Sequence, residues 1–331
     1  MNKEKNKILV TGGAGYIGAH FINKLLNESE YEVIVIDNFF QGQENIINSQ
    51  RVQYFNVDLT DYSKLDMVFK NNNISIVAHF AALASVPDSV IRPLEYYENN
   101  LVGGLNLLRA MREQGVDKII NSSSASVYGE PETEVIKEDH RKMPTNPYGY
   151  TKLIFEKILE DCFKAYKLNS ISFRYFCAAG SDNNLLIGEN HKPETHVIPT
   201  IINTILGRRS EFYVFGDDFK TKDGSGIRDY IHVNDLASAH IMAIEKLNKN
   251  LSICAFYNLG INKGYSVFDL IAAAEAVTGK RVNYSIKERR SGDPSKLIAD
   301  SSLAQSELGW KPQYLDVENM IESTYNYFLK K

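Results

Sequence analysis

The sequence is poor in cysteine. Among 331 residues only Cys162, Cys177 and Cys254 occur, and no two form a Cys-x-x-Cys pair. None stands in metal-ligand spacing with the seven histidines, so neither a disulfide framework nor a metal site is expected. An odd, sparse count suits a reducing compartment. Long apolar runs are missing too. The polar, lysine-rich start, Met1 to Lys7, leads into Ile8-Leu9-Val10, which breaks at Thr11-Gly12-Gly13. That run is too short for a secretory signal core, and no run approaches the roughly 20 apolar residues of a membrane span. A cytoplasmic protein without a membrane segment is the expectation. There is no basic excess: the formal net charge is −4, which argues against a nucleic-acid partner. Internal repeats, low-complexity tracts and a Pro/Ser linker are also absent. What remains is 44% hydrophobic and 24% charged, the balance of a globular enzyme with a substantial core.

The first half alternates short β-branched runs with longer helical patterns. Strands are expected at 7–11, 32–36, 52–56, 74–79, 118–122 and 170–175, and helices at 16–27, 62–71, 94–114 and 148–166. This alternation predicts an α/β fold, a Rossmann-type doubly wound parallel sheet with helices on both faces. Ile8-Leu9-Val10 and Val33-Ile34-Val35-Ile36 lack polar alternation, as strands buried on both faces require. Beyond residue 176 the pattern loosens into loop-rich stretches at 180–192 and 216–226, with helices expected at 197–207, 233–246, 267–278 and 317–329. We therefore expect a dinucleotide-binding domain over 1–176 and a smaller C-terminal substrate-binding lobe over 177–331, with some chain crossing back to the first domain.

Thr11-Gly12-Gly13-Ala14-Gly15-Tyr16-Ile17-Gly18 follows a strand and opens a helix. Gly12, Gly15 and Gly18 match the fingerprint of a dinucleotide site: a tight turn, backbone close to a pyrophosphate, and close helix–strand packing. The helix N-terminus offers N–H groups and partial positive charge to the phosphates. A glycine run alone is equally an ordinary strand–turn–helix, but Asp37 ends the next strand nineteen residues after Gly18. A carboxylate there accepts hydrogen bonds from the adenosine ribose and repels a 2′-phosphate. No Arg lies between Asp37 and Gln50, so NAD is expected over NADP. Asp58 ends a later strand and either reaches the adenine or caps the following helix.

Tyr148 and Lys152 stand four apart in a helical pattern, on one helix face. A tyrosine is a poor base near pH 7, with a reference pKa of about 10. A neighbouring ammonium and the bound nicotinamide's charge favour the phenolate, which can then exchange a proton with a substrate hydroxyl. Among nineteen tyrosines such a pair also arises by accident. The run Asn121-Ser122-Ser123-Ser124-Ala125-Ser126-Val127-Tyr128-Gly129 follows a strand. Ser124 at that strand end either hydrogen-bonds the reacting oxygen or is plain turn chemistry.

Taken together, these segments, with 79–82, 93–100, 146–152, 174–176 and 226–233, resemble the extended short-chain dehydrogenase/reductase family over about residues 7–329. Within it the chain is most similar to the branch that epimerises UDP-hexoses at C4. That resemblance implies an isomerase that oxidises C4 with tightly held NAD, lets the 4-keto sugar rotate, and reduces it on the other face. It implies Tyr148, Lys152 and Ser124 as catalytic. It implies NAD contacts from Gly12, Gly15, Tyr16, Ile17 and Gly18, from Asp37, Asn38, Phe39, Gln41 and Gly42, and from Asp58 and Leu59. Further NAD contacts are Phe80, Ala81, Ala82, Ala84, Asn99, Ser122, Tyr148, Lys152 and Tyr175. For the UDP-hexose it implies Val86, Ser124, Tyr148, Cys177, His196, Val197, Tyr213 and Phe215. Arg228 and Arg290 would grip the diphosphate, Asp293 the uridine ribose, and Leu297 would lie near the sugar. Arginine's fork matches phosphate oxygens.

Two positions, Cys177 and Ala84, depart from the family's pattern, and Ala125, Ser126 and Leu297 narrow the reading within it. Relatives that eliminate water carry an Asp-Glu pair where this chain has Ala125 and Ser126, which leaves epimerisation favoured over dehydration. Cys177 replaces the usual Asn, and a thiol is a weak hydrogen-bond partner. Ala84 replaces a lysine of some members. Leu297, where some members carry a larger tyrosine, would admit an N-acetylated sugar. Competing readings are another NAD-dependent nucleotide-sugar enzyme, such as a UDP-glucuronate decarboxylase or epimerase, and a non-catalytic nucleotide binder. The family also implies a homodimer through the helices at 94–114 and 148–166, with Leu101, Leu105, Leu108, Leu153, Ile154 and Ile158 as apolar positions.

Overall fold

The computed structural model describes residues 7–182, 184, 187–189, 191, 193–249, 252–290 and 293–331. The lysine-rich start and parts of the loop at 180–192 lie outside the described residues. The chain runs β1 (Lys7–Thr11), α1 (Tyr16–Glu28), β2 (Glu32–Asp37), β3 (Val52–Asn56), α2 (Tyr62–Asn71), β4 (Ile74–His79), α3 (Val86–Ile91) and α4 (Pro93–Tyr97). It continues with α5 (Gly103–Glu113), β5 (Lys118–Ser124), α6 (Pro147–Tyr166), β6 (Asn169–Tyr175), β7 (Cys177–Ala179), α7 (Val197–Ile205), β8 (Phe212–Phe215) and β9 (Ile227–His232). The remainder is α8 (Val233–Asn248), β10 (Cys254–Leu259), β11 (Gly264–Ser266), α9 (Val267–Thr278), β12 (Tyr284–Lys287), β13 (Lys296–Leu297), α10 (Ser302–Leu308) and α11 (Val317–Lys330). The strands expected at 7–11, 52–56 and 74–79 and the helices at 62–71 and 267–278 appear with those bounds.

The chain divides into two units. The first is 1–127, 144–174 and 237–257; the second is 128–143, 175–236 and 258–331. Neither unit is one continuous stretch: 128–143 belongs to the second unit, and 237–257 belongs to the first, a crossing back of the kind expected, each with a packing reason. In 128–143, Ile136 N–H donates to the Ile298 carbonyl and Asp300 N–H to the Ile136 carbonyl, both pairs inside the second unit. In 237–257, the His240 ring packs on Phe21, Phe80 and Phe173 of the first unit.

The first unit is built on a seven-stranded sheet of order β10-β6-β5-β4-β1-β2-β3. β3, β2, β1, β4 and β5 pair in parallel. The order 3-2-1-4-5-6 is that of a Rossmann-type dinucleotide fold, with β10 added at the edge. The core includes Leu9, Ile34, Val77, Ile119, Leu107 and Phe155. The helix expected at 94–114 is interrupted: a π-helical turn at Glu98–Val102 joins α4 to α5. Such turns often mark functional positions. The buried Asn100 within it donates to the Leu83 carbonyl and Thr151 Oγ1 at 3.0 Å and accepts from Leu83 N–H at 2.9 Å, fastening the loop after β4 to α6.

Helix α6 begins where Asn146 caps it, accepting from Gly149 N–H at 2.9 Å, with Pro147 at its first position. A Cβ at Gly149 would lie 2.6 Å from the Ser126 carbonyl oxygen, so only glycine lets the helix start sit this close to the end of β5. Farther along, buried Glu156 meets buried Arg174 of β6 through two hydrogen bonds at 2.8 and 2.9 Å. Ser123 of β5 donates to the same carboxylate at 2.6 Å.

The second unit contains small sheets, β11-β9-β13 with β7 beside β9, and β8 beside β12. Its core gathers Ile198, Ile201, Leu270, Met320 and Phe328 from α7, α9 and α11. The sequence pattern missed the strands here because each spans only two to six residues and two-residue β13 carries no readable alternation. Among the described residues no helix is long and apolar enough to cross a membrane.

Removing one member of a buried ion pair strands the other without solvent. Arg174→Ala is expected to lower stability by about 3–5 kcal/mol in urea unfolding, while an exposed-pair control, Arg281→Ala, costs under about 1 kcal/mol.

Candidate active site

At the end of β1, Gly12 has φ +69°, and a Cβ on it would lie 2.6 Å from Ala81 N. A Cβ on Gly18 would lie 2.4 Å from the Gly12 carbonyl oxygen. The glycines thus let α1 and the loop after β4 close on the β1 turn. No side chain caps α1, whose N-cap is Gly15, so its first amides face outward for an anion. This is the cradle a dinucleotide pyrophosphate requires.

Asp37 is nearly buried at the end of β2. Its carboxylate accepts Phe39 N–H at 2.8 Å and Ala14 N–H at 3.1 Å. Burial raises its pKa and the two backbone bonds oppose this. Phe39 takes φ +56°, an αL residue that bends the chain around the carboxylate. Asn38 donates to Asp58 at 2.9 Å, and Asp58 also accepts the Thr60 N–H and hydroxyl. The helix cap is Asp61, which accepts Lys64 N–H; Asp58 is thereby free of that role. Gln41 and Gly42 lie in the same loop, with Gly42 against Ala14. Phe80, Ala81, Ala82 and Ala84 form the loop after β4, Val86 opens α3, and Asn99 sits in the π turn, donating to Asn100.

Lys152 Nζ donates to the Ser122 carbonyl at 2.7 Å and is buried. Burial draws its pKa down to about 8, with Glu156 pulling the other way. Tyr148 stands one turn earlier. Burial raises its pKa, and a hydrogen bond with the Ser124 hydroxyl lowers it. Lys152 Nζ is 5.8 Å from the Tyr148 ring centroid and donates to the Ser122 carbonyl. Behind the pair, buried His79 is held near pKa 3 by burial and by Lys152, hence neutral, and shares a 2.7 Å hydrogen bond with Thr11.

In the second unit, Arg228 of β9 lies 3.9 Å from Asp293, and Asp293 also acts on Arg290. The Arg290 guanidinium stacks on Phe215, 3.8 Å from its centroid. Tyr213 and Phe215 lie edge to face on β8. Cys177 of β7 feels the charges of Arg228 and Asp293, and burial pushes its thiol up to about 11. Leu297 of β13 is in register with Arg228. Tyr175 is buried at the end of β6. His196 precedes α7 and Val197 begins it. Glu189 raises the His196 pKa to about 9.

Residues 8–260 match the pattern described as the NAD dependent epimerase/dehydratase family. The chain belongs to this family. It is 48% identical to the UDP-glucose 4-epimerase of Halalkalibacterium halodurans, over 97% of this chain and 95% of that protein. To the UDP-glucose 4-epimerase of Drosophila melanogaster it is 42% identical, over 97% and 95%. The crystal structure of UDP-glucose 4-epimerase from Bifidobacterium longum in complex with NAD+ and UDP superposes with a TM-score of 0.94 at 40% identity, covering 98% of both chains. The UDP-Glc/GlcNAc 4-epimerase of Campylobacter jejuni gives 0.84 at 36% identity, covering 98% of this chain and 100% of that one.

Several site-shaping residues escaped the sequence reading. Asn100, Asn146, Gly149 and Glu156 position the family's Tyr and Lys without facing them. Glu156 alone had a signal, being one helical turn past Lys152. Glu189, His191 and Glu194 converge on His196, a His/Glu group that a search for cysteine spacing passes over.

A lysine held near pKa 8 in the fold and about 10.5 unfolded binds more protons when unfolded between those values. Stability therefore rises with pH across that window. Without cofactor, unfolding free energy is expected to gain about 2 kcal/mol between pH 7.5 and 9.5 relative to the same difference in Lys152→Met, read by urea titration.

Proposed function

We propose that the protein interconverts UDP-hexoses at C4, in particular UDP-glucose and UDP-galactose, with bound NAD. The observation that carries the reading is Tyr148 hydrogen-bonded to Ser124 and followed by Lys152, beside a strand end where Ala125 and Ser126 offer no acid. The Gly12–Gly18 turn and α1 hold the pyrophosphate of NAD. Asp37 takes the adenosine ribose and Lys152 the nicotinamide ribose. Bound NAD would supply a reversible hydride acceptor at C4 and a positive charge beside the phenol.

Tyr148 takes the proton of the sugar's 4-hydroxyl and gives it back on reduction. Ser124 donates to that oxygen and keeps the phenol aimed. Elimination of water from the 4-keto sugar needs a base at the carbon beside the ketone and an acid at the hydroxyl that leaves, and Ala125 and Ser126 supply neither. The 4-keto sugar is therefore only re-reduced. In the second unit Arg228 and Arg290 hold the diphosphate, with Asp293 between them binding the uridine ribose, and Tyr213 and Phe215 lie along the uracil. Cys177 and Leu297 lie nearest the hexose, and Leu297 leaves room for a 2-acetamido group. The three free thiols suit the cytoplasm.

We further propose a homodimer through α4–α5 and α6. There Leu94, Leu105 and Ile154 are 78%, 49% and 39% exposed. Leu108 is buried, and Leu101 and Ile158 pack on the core, so they serve the fold.

Incubation with UDP-galactose is expected to yield UDP-glucose with no net rise in NADH absorbance, and UDP-N-acetylgalactosamine to turn over as well. Tyr148→Phe should lose about 10²–10⁴-fold in kcat while retaining NAD. Stoichiometric NADH accumulation, or carbon dioxide from UDP-glucuronate, would reject the epimerase. Light scattering on the intact chain should give twice the chain mass; a monomer would exclude the dimer.

A further inference from the structure

Two carboxylates and two imidazoles meet before α7, and of the four only His196 is among the expected substrate contacts. Their donor atoms all lie within 4.8 Å of one another. His196 Nδ1 is 2.5 Å from Glu189 Oε1 and 3.7 Å from Glu194 Oε1. His191 Nδ1 is 3.6 Å from Glu189 Oε1 and 3.7 Å from Glu194 Oε2. Metal–nitrogen and metal–oxygen bonds of about 2.0–2.1 Å set tetrahedral edges of about 3.3–3.4 Å. The four separations bracket that edge.

A second feature points to a ligand. His191 Nδ1 is buried without a hydrogen-bond partner, although its ring faces two carboxylates. Such an atom needs a partner to offset its lost hydration. Glu189 is almost wholly buried, a costly place for a carboxylate unless cationic charge offsets it. Glu194 is already oriented: its oxygens accept the backbone N–H groups of His191, Thr195 and His196 at 2.9–3.0 Å. Outer hydrogen bonds of this kind fix the ligands of built metal sites.

We propose that Glu189, His191, Glu194 and His196 bind one first-row divalent cation per chain. Two imidazoles with two carboxylates suit zinc, and zinc outranks manganese and iron in intrinsic affinity for such donors. Magnesium and calcium favour all-oxygen sites and are poor fits. The cation replaces the proton that His196 shares with Glu189. The positive field of Arg290 on His196 opposes it, and the two carboxylates outweigh that single charge. Once bound, the cation ties Glu189, His191 and Glu194 to His196 at the start of α7 and fixes that imidazole in place.

The test is calorimetric titration of the tag-free, chelator-treated full chain with zinc sulfate, and with magnesium chloride for comparison. One equivalent of zinc should bind and magnesium should give no saturable heat. His191→Ala and Glu194→Gln should each weaken zinc binding by about 10–100-fold or more. Zinc-edge anomalous scattering from a crystal of the unaltered chain should place the peak among these four side chains, a readout that does not depend on how the variants fold. No stoichiometric binding, binding unchanged in folded variants, or a peak at a cysteine instead would overturn the proposal.

Discussion

The seating of α6 on β5 and β6 is the constraint on which the first unit depends. Four contacts set it. Gly149 lets the helix start touch the Ser126 carbonyl, Lys152 reaches the Ser122 carbonyl, and Glu156 binds Ser123 and Arg174. The first turns of the helix are thus each fixed against β5, the turn that follows it, or β6. Tyr148 meets Ser124 as a consequence, since both belong to elements already locked together. The buried Glu156–Arg174 pair is a poor source of net stability, because desolvation consumes most of its Coulomb energy. Its value here is positional: any slip of the helix by a residue would strand two charges away from water.

The cofactor side follows a different logic. Its specificity rests on backbone held close and on one carboxylate held still. Gly12 and Gly18 permit approaches that any side chain would block. Asp37 is fixed by two backbone amides and keeps lone pairs for further donors. Asn100, inside the π turn, holds the loop after β4 by two hydrogen bonds to Leu83 and ties it to α6 by a third to Thr151.

The second unit gathers its charged residues from short elements far apart in the chain. Arg228 and Leu297 are neighbours because β9 and β13 pair, and Asp293 lies near both arginines. In the segment before α7 a similar convergence places acids and histidines around one point. Both clusters set acids beside cationic or imidazole groups, which eases the crowding of ionised groups at partial burial.

The alternation of apolar runs with amphipathic helices, the Gly12–Gly18 turn and the Asp37 strand end were legible in the sequence. Period and spacing are local properties, and a parallel sheet with helical crossovers is nearly the only way to satisfy them. The Tyr148/Lys152 spacing was legible for the same reason. The ionisation of that pair was not, because desolvation depends on what packs around a group. Nor could the sequence show that 128–143 joins the second unit, that β10 completes the first sheet, or that Glu156 finds Arg174. Those pairings join residues far apart along the chain, and only tertiary packing chooses among the many partners a buried charge or an unpaired strand edge could take.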